Sequence, residues 1–136
     1  MRKIALALAT GSLIATGLIA GPAAAKPKLS GEEQLAKVLE GRVAGEPVDC
    51  ISLMDTREQR VIDKTAIVYG QGGTIYVNRP RNASDLDRDD VMVSDIRGSQ
   101  LCSVDVVRMH DRSNFFYTGF VGLDRFVPYR RVARAN

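Results

Sequence analysis

The first 25 residues constrain this chain most, because they read as a segment that leaves before the protein folds. Met1-Arg2-Lys3 is a short cationic start, and Ile4 to Ala20 carries no charge. Gly21-Pro22 breaks a helix there, since proline removes a backbone donor and clashes with the preceding turn. Ala23-Ala24-Ala25 follows with the small-x-small pattern of an export signal, and Lys26-Pro27 lies just beyond it. At about 1.5 Å per residue, Ile4–Ala20 would span roughly 25 Å, short of the roughly 30 Å of a hydrocarbon core. Thr10, Ser12 and Thr16 dilute it further, and no cysteine near Ala25 offers a lipid attachment point. The expectation is cleavage after Ala25 and release into the periplasm or medium, with no stable membrane anchor.

Cleavage alters the charge balance. Of 136 residues, 111 remain, and losing Arg2 and Lys3 lowers the formal charge from +3 to +1. A surface of mixed sign has no general attraction for nucleic acid or anionic lipid, so no nucleic-acid partner is expected. The length suits one domain with a modest core.

Two cysteines, Cys50 and Cys102, then stand in an oxidising compartment, where a single structural disulfide is the natural pairing. Closing a loop of about 50 residues stabilises by roughly 4 kcal/mol in the chain-entropy description. A redox or metal role is disfavoured, because no C-x-x-C spacing lowers a thiol pKa and the ligands are too few for zinc. No cofactor is expected.

Along the chain, 26–29 reads as a linker, 30–129 as one β-rich domain and 130–136 as a flexible tail. Ser30 and Glu33 have the spacing of a capping box, and Leu35, Val38 and Leu39 follow at helical spacing before Gly41, predicting a short helix over 31–40. Val48–Leu53 alternates as a half-buried strand does. Thr56–Arg60 reads as a turn. Thr65–Tyr69 and Thr74–Asn78 flank Gly70-Gln71-Gly72-Gly73, the best hairpin signal present. Arg79–Asp90 reads as a loop, and Val91–Val93, Leu101-Cys102 and Val104–Met109 as short strands. Asp111–Thr118 reads as a loop carrying Phe115-Phe116-Tyr117, with strands at Gly119–Leu123 and Phe126–Tyr129. The fold class expected is mainly β: a small antiparallel barrel or sandwich with one short N-terminal helix.

Chemistry-bearing residues are sparse. Asp85, Asp87 and Asp89 alternate as calcium ligands do, but Asp90 and Ile96 fall where an EF-hand needs glycine and glutamate, so a solvated turn is the better reading. His110, the sole histidine, could act as a general base with Asp111 or Asp105. Adjacent strand residues point to opposite faces, however, and Ser103 and Ser113 lack a nucleophile signature. Arg125, Arg130, Arg131 and Arg134 near Phe126 and Tyr129 read as a solvated C-terminal face. Tyr69, Tyr76, Phe120 and Phe126 read as core or sheet-face residues. Asn82-Ala83-Ser84 fits a glycosylation sequon that is idle in a bacterial source.

Four segments carry a resemblance: Gly41–Ile51 (GRVAGEPVDCI), Thr74–Pro80 (TIYVNRP), Gln100–Cys102 (QLC) and Phe126–Tyr129 (FVPY). Together they resemble a family of small exported proteobacterial proteins defined by a domain of unknown function. The resemblance implies a secreted single domain and supports the cysteine pairing, without bringing an activity, a ligand or a catalytic residue. The leading expectation is therefore a non-enzymatic periplasmic binding or interaction module whose partner is an envelope protein or component. The alternative is a small hydrolase using His110 with a nearby aspartate.

Overall fold

A computed structural model describes residues 27–133, so the expected export segment with Ala25, and Arg134 in the tail, lie outside the described residues. Helix α1 (Gly31–Leu39) begins with the expected capping box: Ser30 Oγ accepts from the Glu33 amide, and the Ser30 amide donates to Glu33 Oε2 at 2.7 Å. Reciprocal capping satisfies donors that the first turn would otherwise leave open. Gly31 is required by packing. A Cβ there would lie 1.8 Å from Thr65 Oγ1, so only glycine lets the helix start rest on the neighbouring turn. At the other end, Gly41 takes φ +70 and turns the chain into a strand.

Helix α1 lies on a five-stranded antiparallel sheet of order β1-β10-β5-β4-β3, formed by β1 (Arg42–Ala44), β10 (Phe126–Arg131), β5 (Thr74–Asn78), β4 (Ala66–Tyr69) and β3 (Gln59–Ile62). Leu35 packs there with Ile62, Ala66, Val68, Ile75 and Val77. The opposite face carries a second core, in which Ile67, Tyr69 and Phe126 meet Leu101, Val107, Met109 and Val121. These come from β7 (Gln100–Cys102), paired with β2 (Cys50–Ser52), and from a three-stranded sheet of order β6-β8-β9. The last comprises β6 (Asp90–Ser94), β8 (Val106–Asp111) and β9 (Tyr117–Gly122). Every residue of β4 is buried, because both faces of this strand are covered. An uninterrupted apolar run is what such a position demands.

The molecule is thus mainly β, with antiparallel sheets, one short helix and one disulfide, and the sheets form an open sandwich rather than a closed barrel. The hairpin read from residues 65–78 forms with Tyr69 opposite Tyr76, and Gly70 and Gly72 take positive φ in its turn. Other boundaries move. The strand read at Val48–Leu53 shortens to Cys50–Ser52, while Val48 makes an isolated bridge to Phe126. Gln59 and Arg60, read as turn, belong to β3, an edge strand on which polar side chains reach water. The tail read from Arg130 starts too early: Arg130 and Arg131 remain in β10, held opposite Val43 and Arg42.

Cys50 and Cys102 are directly opposed on β2 and β7, bonded to one another, with Cα atoms 4.0 Å apart. The flanking Ser103 amide donates to the Asp49 carbonyl at 2.7 Å. The cysteines therefore occupy a non-hydrogen-bonded pair, the ladder position where strands approach most closely. Such a crosslink is compatible with an oxidising, extracytoplasmic compartment. Among the described residues, no helix is long and apolar enough to cross a membrane.

Candidate binding face

The β8–β9 hairpin presents two unlike faces. Val107, Met109 and Val121 point into the core, and Val106, Arg108 and His110 alternate with them outward. On β9, Phe120 lies opposite Arg108, and the register then slips, leaving Thr118 unmatched and Tyr117 opposite His110. This bulge rotates Tyr117 onto the outer face beside Phe120. Thr118 Oγ1 donates to the Asp90 carboxylate at 2.5 Å, tying the bulge to β6.

The connecting turn is built by short polar side chains. Asp111 Oδ1 accepts from the amides of Ser113 (2.7 Å) and Asn114 (3.1 Å), and Asn114 Oδ1 accepts from the Phe116 amide (2.8 Å). The Ser113 amide, followed by that of Asn114, holds the Asp111 carboxyl below its ordinary range. The Phe115 amide donates to the Asp111 carbonyl, which places Phe115 at φ +60. Glycine or asparagine usually fills such a left-handed position.

Held there, the Phe115 ring stacks on His110, with centroids 4.8 Å apart and planes 17° from parallel. Tyr117 meets the imidazole edge-on at 5.8 Å. His110 Nδ1 lies 3.1 Å from the Phe115 carbonyl oxygen, an acceptor, which assigns the proton to Nδ1. Phe115, Phe116, Tyr117 and Phe120 are 52% to 73% exposed, so the hairpin shows four aromatic rings to water. Arg108 crosses the same face and pairs with Asp95 at 2.6 Å.

The residues of the hydrolase alternative are not brought together. Asp111 is committed to turn amides, and Asp105 accepts from the Cys102 amide at 2.7 Å in the turn between β7 and β8. Neither carboxylate hydrogen-bonds to His110, whose ring contacts are Phe115 and Tyr117. The acidic cluster disperses likewise. Asp85 accepts from Asn82 and Ser84, and Asp87 Oδ1 accepts from the Asp89 amide. Among the described residues, no three His, Cys, Asp or Glu side chains gather in a metal-holding group. Asn82 of the sequon is engaged at both ends of its amide, donating to the Phe120 carbonyl and accepting from the Gly122 amide.

Of the aromatic residues singled out from sequence, Tyr69 and Phe126 are fully buried and pack edge-to-face, whereas Phe120 is an exposed sheet-face residue. Arg125 pairs with Asp49 at 3.1 Å. From sequence, Phe115, Phe116 and Tyr117 read only as part of a loop. Their signal is the Asp111-Arg112-Ser113-Asn114 turn chemistry immediately before three consecutive rings, in a stretch too polar to bury them. No family model matches the chain, and no curated protein or solved structure matches it either.

Proposed function

We propose that this chain is an exported, non-enzymatic binding module that engages a protein of the cell envelope through the outer face of β6-β8-β9. The observation that carries this reading is Phe115, held at φ +60 to keep its ring exposed and stacked on His110. A bulky residue in a left-handed conformation costs about 1–2 kcal/mol, and such strain concentrates at functional sites. Aromatic side chains set around an arginine are the residue types enriched at protein interfaces and their hot spots. The apolar signal-like segment and the disulfide support the compartment.

Site-specific photo-crosslinking in the periplasm tests the assignment. A photoreactive residue at Phe116 or Phe120 is expected to give one adduct of defined mass, lost when Tyr117→Ser is added. The same probe at Lys37, on exposed helix α1, is expected to give none. Equal adducts at all three positions, or none at Phe116 and Phe120, would overturn the proposal.

A further inference from the structure

We infer that the cleft between the end of α1 and the β4–β5 turn is a binding site for a multiply charged phosphate-type oxyanion. It lies on the helix-bearing face of the five-stranded sheet, away from the aromatic hairpin, and rests on separate observations. The cleft has a volume of about 340 Å³, and its lining includes three guanidinium side chains, Arg42, Arg60 and Arg131, above Val38 and Val68. Glu58 is the one acidic side chain in that lining.

The register explains why the three cations share a face. Arg42 lies directly opposite Arg131, two residues beyond Tyr129, which packs with the helix-facing core. Arg60 lies opposite Val68, another member of that core. Paired residues of adjacent strands share a face, so β1, β10 and β3 all direct arginine toward the helix side.

Like charges directly opposed across strands are unfavourable, and Glu58 is the one carboxylate in the cleft lining to set against three guanidiniums. Among the described residues, only Arg79, Arg88, Arg108 and Arg125 have a carboxylate within 4.0 Å; what sets Arg42, Arg60 and Arg131 apart from the other unpaired arginines is that all three line one cleft. Arg42 is also pre-positioned. Its guanidinium donates to the carbonyls of Gly72 at 2.8 Å, Gly73 at 3.2 Å and Tyr129 at 3.4 Å. Partial burial, then the Arg131 charge, draw the Arg42 guanidinium below its ordinary pKa. Arg60 and Arg131 offer planar donor pairs that match phosphate oxygens, Arg42 adds a fixed positive charge beside them, and Val38 and Val68 exclude water beneath.

Calorimetric titration of the purified protein with pyrophosphate, at ionic strength fixed with chloride, tests the site. Saturable one-to-one binding is expected, weakened about tenfold or more by Arg60→Ala and by Arg131→Ala, and partly restored by Arg131→Lys. Both side chains are exposed on the strands, so unchanged thermal unfolding of these variants confirms that the fold is retained. Co-sedimentation with vesicles of phosphatidic acid or of phosphatidylcholine separates the sources. Selective capture by phosphatidic acid, lost in Arg60→Ala, assigns the site to a lipid phosphate; saturation by pyrophosphate alone assigns it to a free phosphate. Failure of both probes to bind, or binding indifferent to Arg60 and Arg131, would overturn the inference.

Discussion

The imidazole of His110 and the ring of Phe115 lie nearly parallel, 4.8 Å apart, across a hairpin turn that Phe115 closes in the left-handed region. Local stability argues for glycine at that position, which accepts positive φ without steric cost. Phe115→Gly is therefore expected to leave stability unchanged or raise it by up to about 1 kcal/mol, the relieved strain offsetting the lost stacking contact. The same variant should weaken the crosslink formed from Phe116. Urea unfolding provides the check. A loss of several kcal/mol would show that the ring serves the fold rather than a partner.

The Cys50–Cys102 crosslink joins two strands of three residues each, too short to persist through their own ladder. Its loop spans 52 positions, which corresponds to about 4 kcal/mol of denatured-state restriction. Cys50→Ser should lower unfolding free energy by that order, and Cys50→Ser with Cys102→Ser should cost about the same as either alone. Additive losses would mean that the sulfur atoms act mainly through separate packing. Detecting two free thiols in the native protein would refute the crosslink itself.

Elements whose cause is local were readable in the chain. Ser30 and Glu33 cap one another within a single turn, and the Gly70–Gly73 segment dictates its hairpin regardless of what lies elsewhere. Strand β1 is not legible in sequence because Arg42-Val43-Ala44 has no strand character of its own; its pairing comes from Arg131, Arg130 and Tyr129, far along the chain. The aromatic face was hidden for a related reason. Whether Tyr117 points inward or outward depends on one unmatched residue, Thr118, and a one-residue slip reverses every side chain beyond it. The convergence of Arg42, Arg60 and Arg131 likewise depends on strand order, which periodicity does not encode.

Asn78 is fully buried, and its carboxamide clamps the link between β9 and β10, donating to the Asp124 carbonyl and accepting from the Asp124 amide at 3.2 Å. Asn78→Ala would leave both backbone groups without that partner, at a cost of about 3 kcal/mol. Asn78→Asp keeps the acceptor but turns a charged oxygen toward the Asp124 carbonyl, so it should be no more stable than the alanine variant. Chemical denaturation of the pair settles the point. An aspartate variant as stable as the parent would mean that the donated bond contributes little.

Tyr69 gives the fold a defined weakness in alkali. Its side chain is buried between the sheets against Phe126, and burial pushes the phenol well above its ordinary pKa of 10.0. A raised folded-state pKa means that the native protein keeps a proton which the unfolded chain releases. The contribution of neutral Tyr69 is complete below pH 10, and stability falls as pH rises above that value by up to about 1.4 kcal/mol per pH unit. Tyr69→Phe removes the titrating oxygen while keeping the ring. Its unfolding free energy should decline less steeply than the parent's between about pH 10 and 11.5, the interval in which the exposed phenol ionises. The difference between the two urea midpoints should therefore shift steadily in favour of the Tyr69→Phe variant across that range. Parallel profiles would show that the Tyr69 phenol reaches water in the native state, contrary to its position in the core.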